Sequence, residues 1–182
     1  MQRFAELLGS AGPVRTFDYP YMHAAAQGRR RKAPDKLDVL IAAHRQELEA
    51  LRSEAASADR LVLAGKSMGS RVGCHLSLEA EVSGLICFGY PLRGQNGKLR
   101  DEVLVAMTKP VLFVQGTRDA LCSLDELEQV RRRMRARSEL FVVDSGDHSL
   151  EATKTALKAR GTTQHEVELA IVAAVRAFCA GL

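Results

Sequence analysis

The chain has 182 residues, 46% hydrophobic and 26% charged, with 26 Lys and Arg against 22 Asp and Glu for a formal net charge of +4. That length suits one domain with an ordinary buried core, and the balance excludes a disordered chain, a collagen-like repeat and a disulfide mini-protein. No apolar stretch approaches the roughly 20 residues that span a bilayer, and Met1–Glu6 carries no long apolar run of the kind a secretory leader needs.

In chain order, Val14-Arg15-Thr16-Phe17-Asp18-Tyr19 predicts a strand closed by Pro20. A basic loop, Arg29-Arg30-Arg31-Lys32, follows. Pro34-Asp35 then signals a helix start, after which Leu37, Leu40, Ile41, His44, Leu48 and Leu51 recur at helical spacing. Leu61-Val62-Leu63-Ala64 reads as a buried strand ending at Gly65. The runs 84–89, 111–114 and 140–143 read the same way. Helices are predicted at about 67–80, 123–136 and 163–180, the last with Val167, Ile171, Ala174, Val175 and Phe178 on one face. Five strands with mostly helical connections predict an α/β fold in a single domain, 1–182. Its form is a three-layer sandwich, a mostly parallel sheet with helices on both faces.

The second basic run, Arg131-Arg132-Arg133 with Arg135 and Arg137, resembles the first in lacking interleaved aromatics, and the chain has six Phe, three Tyr and no Trp. Both runs read as solvated surface rather than a nucleic-acid footprint. Cys74, Cys87, Cys122 and Cys179 lie far apart with no C-x-x-C pair, which argues against a metal site and a disulfide framework. The expected setting is reducing and intracellular, the cytoplasm first and the nucleus second.

In open α/β sheets chemistry collects at the carboxyl ends of the strands. Behind the run 61–64 stands Gly65-Lys66-Ser67-Met68-Gly69, a G-x-S-x-G between strand and helix. A serine there sits on a tight turn that lifts its hydroxyl above the sheet, with flanking glycines to avoid clashes. The competing reading is a plain turn with Ser67 as N-cap. A serine needs a base, and the base an orienting acid. In nucleophile-elbow enzymes these follow in the order Ser, acid, His. Here Gln115-Gly116-Thr117-Arg118-Asp119 ends one strand and Asp144-Ser145-Gly146-Asp147-His148 ends the next. Asp119 and His148 therefore fall at the same predicted sheet edge as Ser67. Taken singly, Asp119 reads as a turn residue or helix cap and His148 as a loop histidine. Asp147 is the second-ranked acid and Asp144 another. His44 reads as a packing residue, and His23, His75 and His165 as weaker bases. Ala64-Gly65-Lys66-Ser67 is not a P-loop, because Arg60 stands where that motif needs glycine.

Phe17-Asp18-Tyr19-Pro20-Tyr21, Gly65-Lys66-Ser67-Met68-Gly69-Ser70-Arg71, Gly89-Tyr90-Pro91-Leu92, Val114 to Asp119 and Gly146-Asp147-His148-Ser149 together resemble a known group. It is the α/β-hydrolase-like family of NSL complex subunit three and testis-expressed protein thirty, whose wider kin include dienelactone hydrolase. The resemblance runs from about residue 14 to 180. It implies an α/β-hydrolase fold lacking its first strands, with Ser67, Asp119 and His148 on the triad positions.

Proteins of that fold carry a His-Gly-x-Gly-like loop before the helix that Arg3–Leu8 resembles, and this sequence shows none there. That loop would give one N–H to an oxyanion hole, the other coming from Met68; losing a donor costs about 10²–10³ in rate. The implied strand order sets the missing strand between 14–19 and 61–64, so these two either pair directly or leave a gap. The expectation is that Met1 is an internal methionine of a longer form. Two functions follow. One is a serine hydrolase acting on an ester, thioester or related acyl bond of a small molecule, needing no cofactor or metal. Arg93–Lys98 would be too short to build a cap over its site. The alternative is a weak or inactive hydrolase fold that binds a protein partner. A third idea is nucleic-acid association through Arg29–Lys32.

Overall fold

The structure, a computed structural model, describes residues 2–26, 33–55, 60–94 and 96–182. It opens with α1 (Gln2–Leu8) and α2 (Pro20–Ala26), the latter begun by a proline whose fixed φ suits a first helical turn. α3 (Leu37–Glu54) buries Leu40, His44 and Leu48, spaced one turn apart. Strands and helices then alternate: β1 (Val62–Lys66), α4 (Met68–Leu76), β2 (Gly84–Phe88), α5 (Glu102–Ala106), β3 (Val111–Gly116), α6 (Leu124–Arg131) and β4 (Ser138–Val143). α7 (Lys154–Ala159) and α8 (Gln164–Ala180) complete the order, α8 closed at its start by a capping box between Thr163 and Glu166.

The four strands pair in chain order, all parallel, with Lys66 opposite Phe88, Phe88 opposite Val114 and Gly116 opposite Val143. Every residue of β2 and β3 is buried, as a sheet covered on both faces requires. Alternation along the strands divides the core. Leu63, Leu85, Cys87 and Phe113 face α4, α5 and α6, meeting Leu76, Leu104 and Leu127. Ile86, Phe88, Leu112 and Val114 face α1 and α8, meeting Phe4, Ile171 and Phe178. Three layers result, and the parallel strands bring four carboxyl ends to one edge.

The predicted strand at 14–19 does not form; no ladder runs through these residues. Their alternating side chains face a helix instead. Arg15 pairs with Glu47 and Glu54 of α3. The Phe17 ring lies 4.9 Å from that of His44, and Tyr19 Oη is 3.2 Å from His44 Nδ1. A period of two satisfies a helix flank as well as a sheet neighbour. Of the two outcomes the sequence left open, the gap is the one observed. β1 is the sheet edge, and a cavity of about 320 Å³ lies between its flank and residues 11–17, with His44, Leu61–Ala64 and Val175 among its walls.

Smaller departures have local causes. The helix predicted to 80 ends at Leu76, and the one predicted to 136 ends at Arg131. The short helices α5 and α7, of 5 and 6 residues, give no periodicity to read. Arg29–Lys32 lie outside the described residues. Among the described residues no helix is long and apolar enough to cross a membrane.

Candidate active site

Ser67 joins β1 to α4 at φ 53° and ψ −116°, a conformation that costs an L-residue energy. Four bonds hold it there. Its N–H donates to the Phe88 carbonyl (2.9 Å), and its own carbonyl accepts from Ser70 N–H, Arg71 N–H and Ser70 Oγ. Its side chain makes no cap bond, so the N-cap reading does not describe it. Gly65 is demanded by close approach, since a Cβ would collide with the backbone of Gly69 and Ser70. Gly69 is not: nothing stands within 4 Å of a Cβ there.

The loop behind β3 carries Asp119 and the loop behind β4 carries His148. His148 Nε2 lies 2.8 Å from Ser67 Oγ, and His148 Nδ1 lies 2.7 Å from Asp119 Oδ2. A carboxylate only accepts, so the proton sits on Nδ1 and Nε2 is free to accept from the serine hydroxyl. The Asp119 side chain is fully buried, whereas 29% of the His148 side chain is exposed, leaving the imidazole open to a ligand. Besides His148, Asp119 accepts from Gln115 Nε2 (2.5 Å) and Leu121 N–H (2.8 Å). Three donors offset the burial of its charge. The same carboxylate, after burial itself, helps push the neighbouring Cys122 thiol up to about 12.

The competing residues are engaged elsewhere. Asp147 Oδ1 accepts from Ser149 N–H and Glu151 N–H, shaping the turn that carries His148. Asp144 pairs with Arg160. His23 Nε2 donates to the Asp18 carbonyl, and His165 is exposed at the start of α8. His75 is half-buried in α4, its pKa lowered by burial and then by the Arg71 charge. His44 is buried among aromatics, and burial pushes it down to about 4.

Three supports escaped the sequence reading. Gln115, fully buried in β3, accepts from Tyr90 N–H (3.0 Å) through Oε1 while its amide holds Asp119, tying the end of β2 to the acid. An amide closing an otherwise apolar strand was the available signal. Lys66 Nζ donates to Ser149 Oγ (3.1 Å), bridging the elbow to the residue after the histidine. Gly89 and Gly116 let the histidine loop settle onto the sheet edge. A Cβ on Gly89 would stand 2.7 Å from the His148 carbonyl oxygen, and one on Gly116 would stand 2.6 Å from that of Asp147.

Met68 is the first residue of α4, so its N–H has no acceptor within the helix and lies beside Ser67. Among the described residues no cluster of three or more His, Cys, Asp or Glu is placed to hold a metal ion.

A parallel sheet with a strained serine at the first strand end, and an acid and a histidine at later ones, defines the α/β-hydrolase class. The chain matches the family model described as the alpha/beta hydrolase domain over residues 1–180, and it belongs to that family. Among solved structures it is similar to an α/β serine hydrolase homologue from Coxiella burnetii (TM-score 0.59, 19% identity), covering 80% of this chain and 62% of that one. It is also similar to a protein of unknown function from Agrobacterium tumefaciens, taken for an α/β hydrolase (TM-score 0.71, 12% identity, 99% of this chain and 77% of that one). A third is a cold-adapted esterase from an Arctic intertidal metagenomic library (TM-score 0.56, 19% identity, 92% and 74%). The chain thus spans under two thirds of the Coxiella protein's length, and these likenesses speak to the fold.

Proposed function

We propose that this chain is a serine hydrolase that cleaves an ester, thioester or related acyl bond of a small molecule. The observation that carries the reading is the pair of contacts made by one imidazole, 2.8 Å to Ser67 Oγ and 2.7 Å to Asp119 Oδ2. Ser67 Oγ attacks the acyl carbon as His148 Nε2 takes its proton. The carbonyl oxygen, now an oxyanion, accepts from Met68 N–H. The tetrahedral adduct collapses, His148 returns the proton to the leaving group, and an acyl-serine remains. Water repeats the cycle through the same base and frees the acid. Asp119 holds the Nδ1–H tautomer and stabilises the imidazolium that forms in each half. Within the hydrolase family, the Ser-Met-Gly-Ser-Arg and Gly-Tyr-Pro-Leu segments resemble those of the group of NSL complex subunit three and testis-expressed protein thirty, and that resemblance supports assigning the chain to it.

A fluorophosphonate probe tests the reading, because it phosphonylates only an activated serine. Wild type is expected to label, while Ser67→Ala, folded by circular dichroism, stays blank. A folded wild type that never labels leaves the protein-binding alternative in its place.

A further inference from the structure

β1 stands at the open edge of the sheet, with β2 on its other side. Its bonds to β2 use every second residue: the Leu61 carbonyl accepts from Ser83 N–H, and Ser67 N–H donates to the Phe88 carbonyl. Strand bonds alternate from side to side, so the N–H and C=O groups of Val62 and Ala64 are turned outward. Among the described residues nothing bonds to them there. Proteins blunt such an edge with a charge, a proline or a covering element. Here the outer flank is the cavity of about 320 Å³ between β1 and residues 11–17, which form no ladder with it.

The cavity cuts through both apolar layers. Leu8, Ile86 and Val175 reach it from one, Leu48 and Leu63 from the other. Its size falls at the lower end of the range of about 300–1,000 Å³ typical of ligand sites. His44, 6% exposed, belongs to the wall; its Nδ1 meets Tyr19 Oη (3.2 Å), and its Nε2 has no partner among the described residues. A purely apolar ligand would seal the polar groups of Val62 and Ala64 from water and pair none of them. A peptide strand supplies an N–H and a carbonyl at every second residue, in the same repeat as β1 itself. Both of its faces would be covered, which calls for a run of Val and Ile rather than an alternation. Charge narrows the choice further. Arg15 is taken up by Glu47 and Glu54, whereas Arg60, just before β1, donates to the Cys179 carbonyl (3.0 Å) and has no acid partner among the described residues. An acid at the end of the strand beside Arg60 would complement it.

We propose that the cavity beside β1 is a docking site for an extended segment of a partner protein, which adds to the sheet as a further strand. The segment is a run of about four β-branched apolar residues, the length of Leu61–Ala64 in the cavity wall, ended by an acid. The proposal stands whether or not Ser67 is a nucleophile.

The test is fluorescence anisotropy of the whole chain with a fluorescein-labelled peptide, Glu-Val-Ile-Val-Ile-Glu, carrying an acid at each end so that either direction is served. Saturable one-to-one binding is expected. Methylating the peptide nitrogens of alternate residues leaves every side chain in place, and in at least one of the two phases it should weaken binding at least tenfold. Exchange of the Val62 and Ala64 amide hydrogens, followed by NMR, should slow at least tenfold once the peptide is bound. Leu51→Trp, which fills the cavity from α3, should weaken binding at least tenfold, and Arg60→Gln about threefold, each checked for native melting. The methylation and exchange measurements use the wild-type chain, so they decide the matter even if a variant misfolds. Absence of saturable binding overturns the proposal, as does binding indifferent to methylation in both phases. Displacement of the peptide by decanoate, with Val62 and Ala64 amides that exchange freely throughout, marks an amphiphile pocket and overturns it too. Slow exchange at both amides in the free protein, together with sedimentation as a dimer, assigns the edge to a second copy and discards the partner segment.

Discussion

Replacing Ser67 by glycine should stabilise the protein relative to Ser67→Ala, although both variants lack the proposed nucleophile. The backbone at this position holds φ 53° and ψ −116°. Such conformations cost a residue with a Cβ about 1–3 kcal/mol, and alanine bears that cost in full. Glycine adopts the angles freely but loses about 0.5–1 kcal/mol more through the unfolded chain's freedom. The hydroxyl's bond to His148, with a net worth of about 0.5–1.5 kcal/mol, is lost from both variants and cancels in the comparison. What remains favours glycine by about 1 kcal/mol at mid-range and by about 2.5 kcal/mol at most. At about 2–4 °C per kcal/mol for a chain of this size, Ser67→Gly should melt about 2–4 °C above Ser67→Ala at mid-range, and about 10 °C above it at most, in scanning calorimetry. A Ser67→Gly variant melting at or below Ser67→Ala would show that the elbow stores no strain, and the account of why the turn is so tightly bonded would fail with it.

Two further outcomes follow from buried groups. His44 is uncharged in the fold, with its pKa pushed from 6.5 to about 4 by burial; between those values the unfolded chain binds the extra proton. Stability is therefore complete above pH 6.5 and falls as pH drops toward 4, by about 3 kcal/mol at about 1.36 kcal/mol per pKa unit. Urea midpoints taken across that range should show the slope in wild type and a flatter one in His44→Asn. Gln115→Leu strands the buried Tyr90 N–H and removes one of three donors to Asp119. It should cost about 1–3 kcal/mol in urea unfolding and slow fluorophosphonate labelling; wild-type values for both would mean that Gln115 merely fills space.

The residues at the site were the most legible part of this sequence because topology does the gathering. Ser67, Asp119 and His148 each follow an apolar run, and parallel strands with helical returns bring such followers to one edge whatever lies between them. Nothing comparable announces Gln115. Its partners are Tyr90 N–H and Asp119, contacts set by how two loops close over the strand ends. The strand expected at 14–19 failed for a physical reason. Arg15, Phe17 and Tyr19 alternate as a strand's inward residues would, yet α3 supplies the surface they face. Periodicity reports that one side is covered, not by what.

The pairing of the strands acts as a ruler for the chemistry. Ser67 is suspended from β2 through Phe88, while His148 rests over Gly116, two strands away. Sliding β3 by a single residue would carry that loop about 3.3 Å along the sheet, further than the whole Ser67–His148 separation of 2.8 Å. A register shift is thus too coarse a step to set this distance, and its fine adjustment is left to how the loops pack on the strand ends.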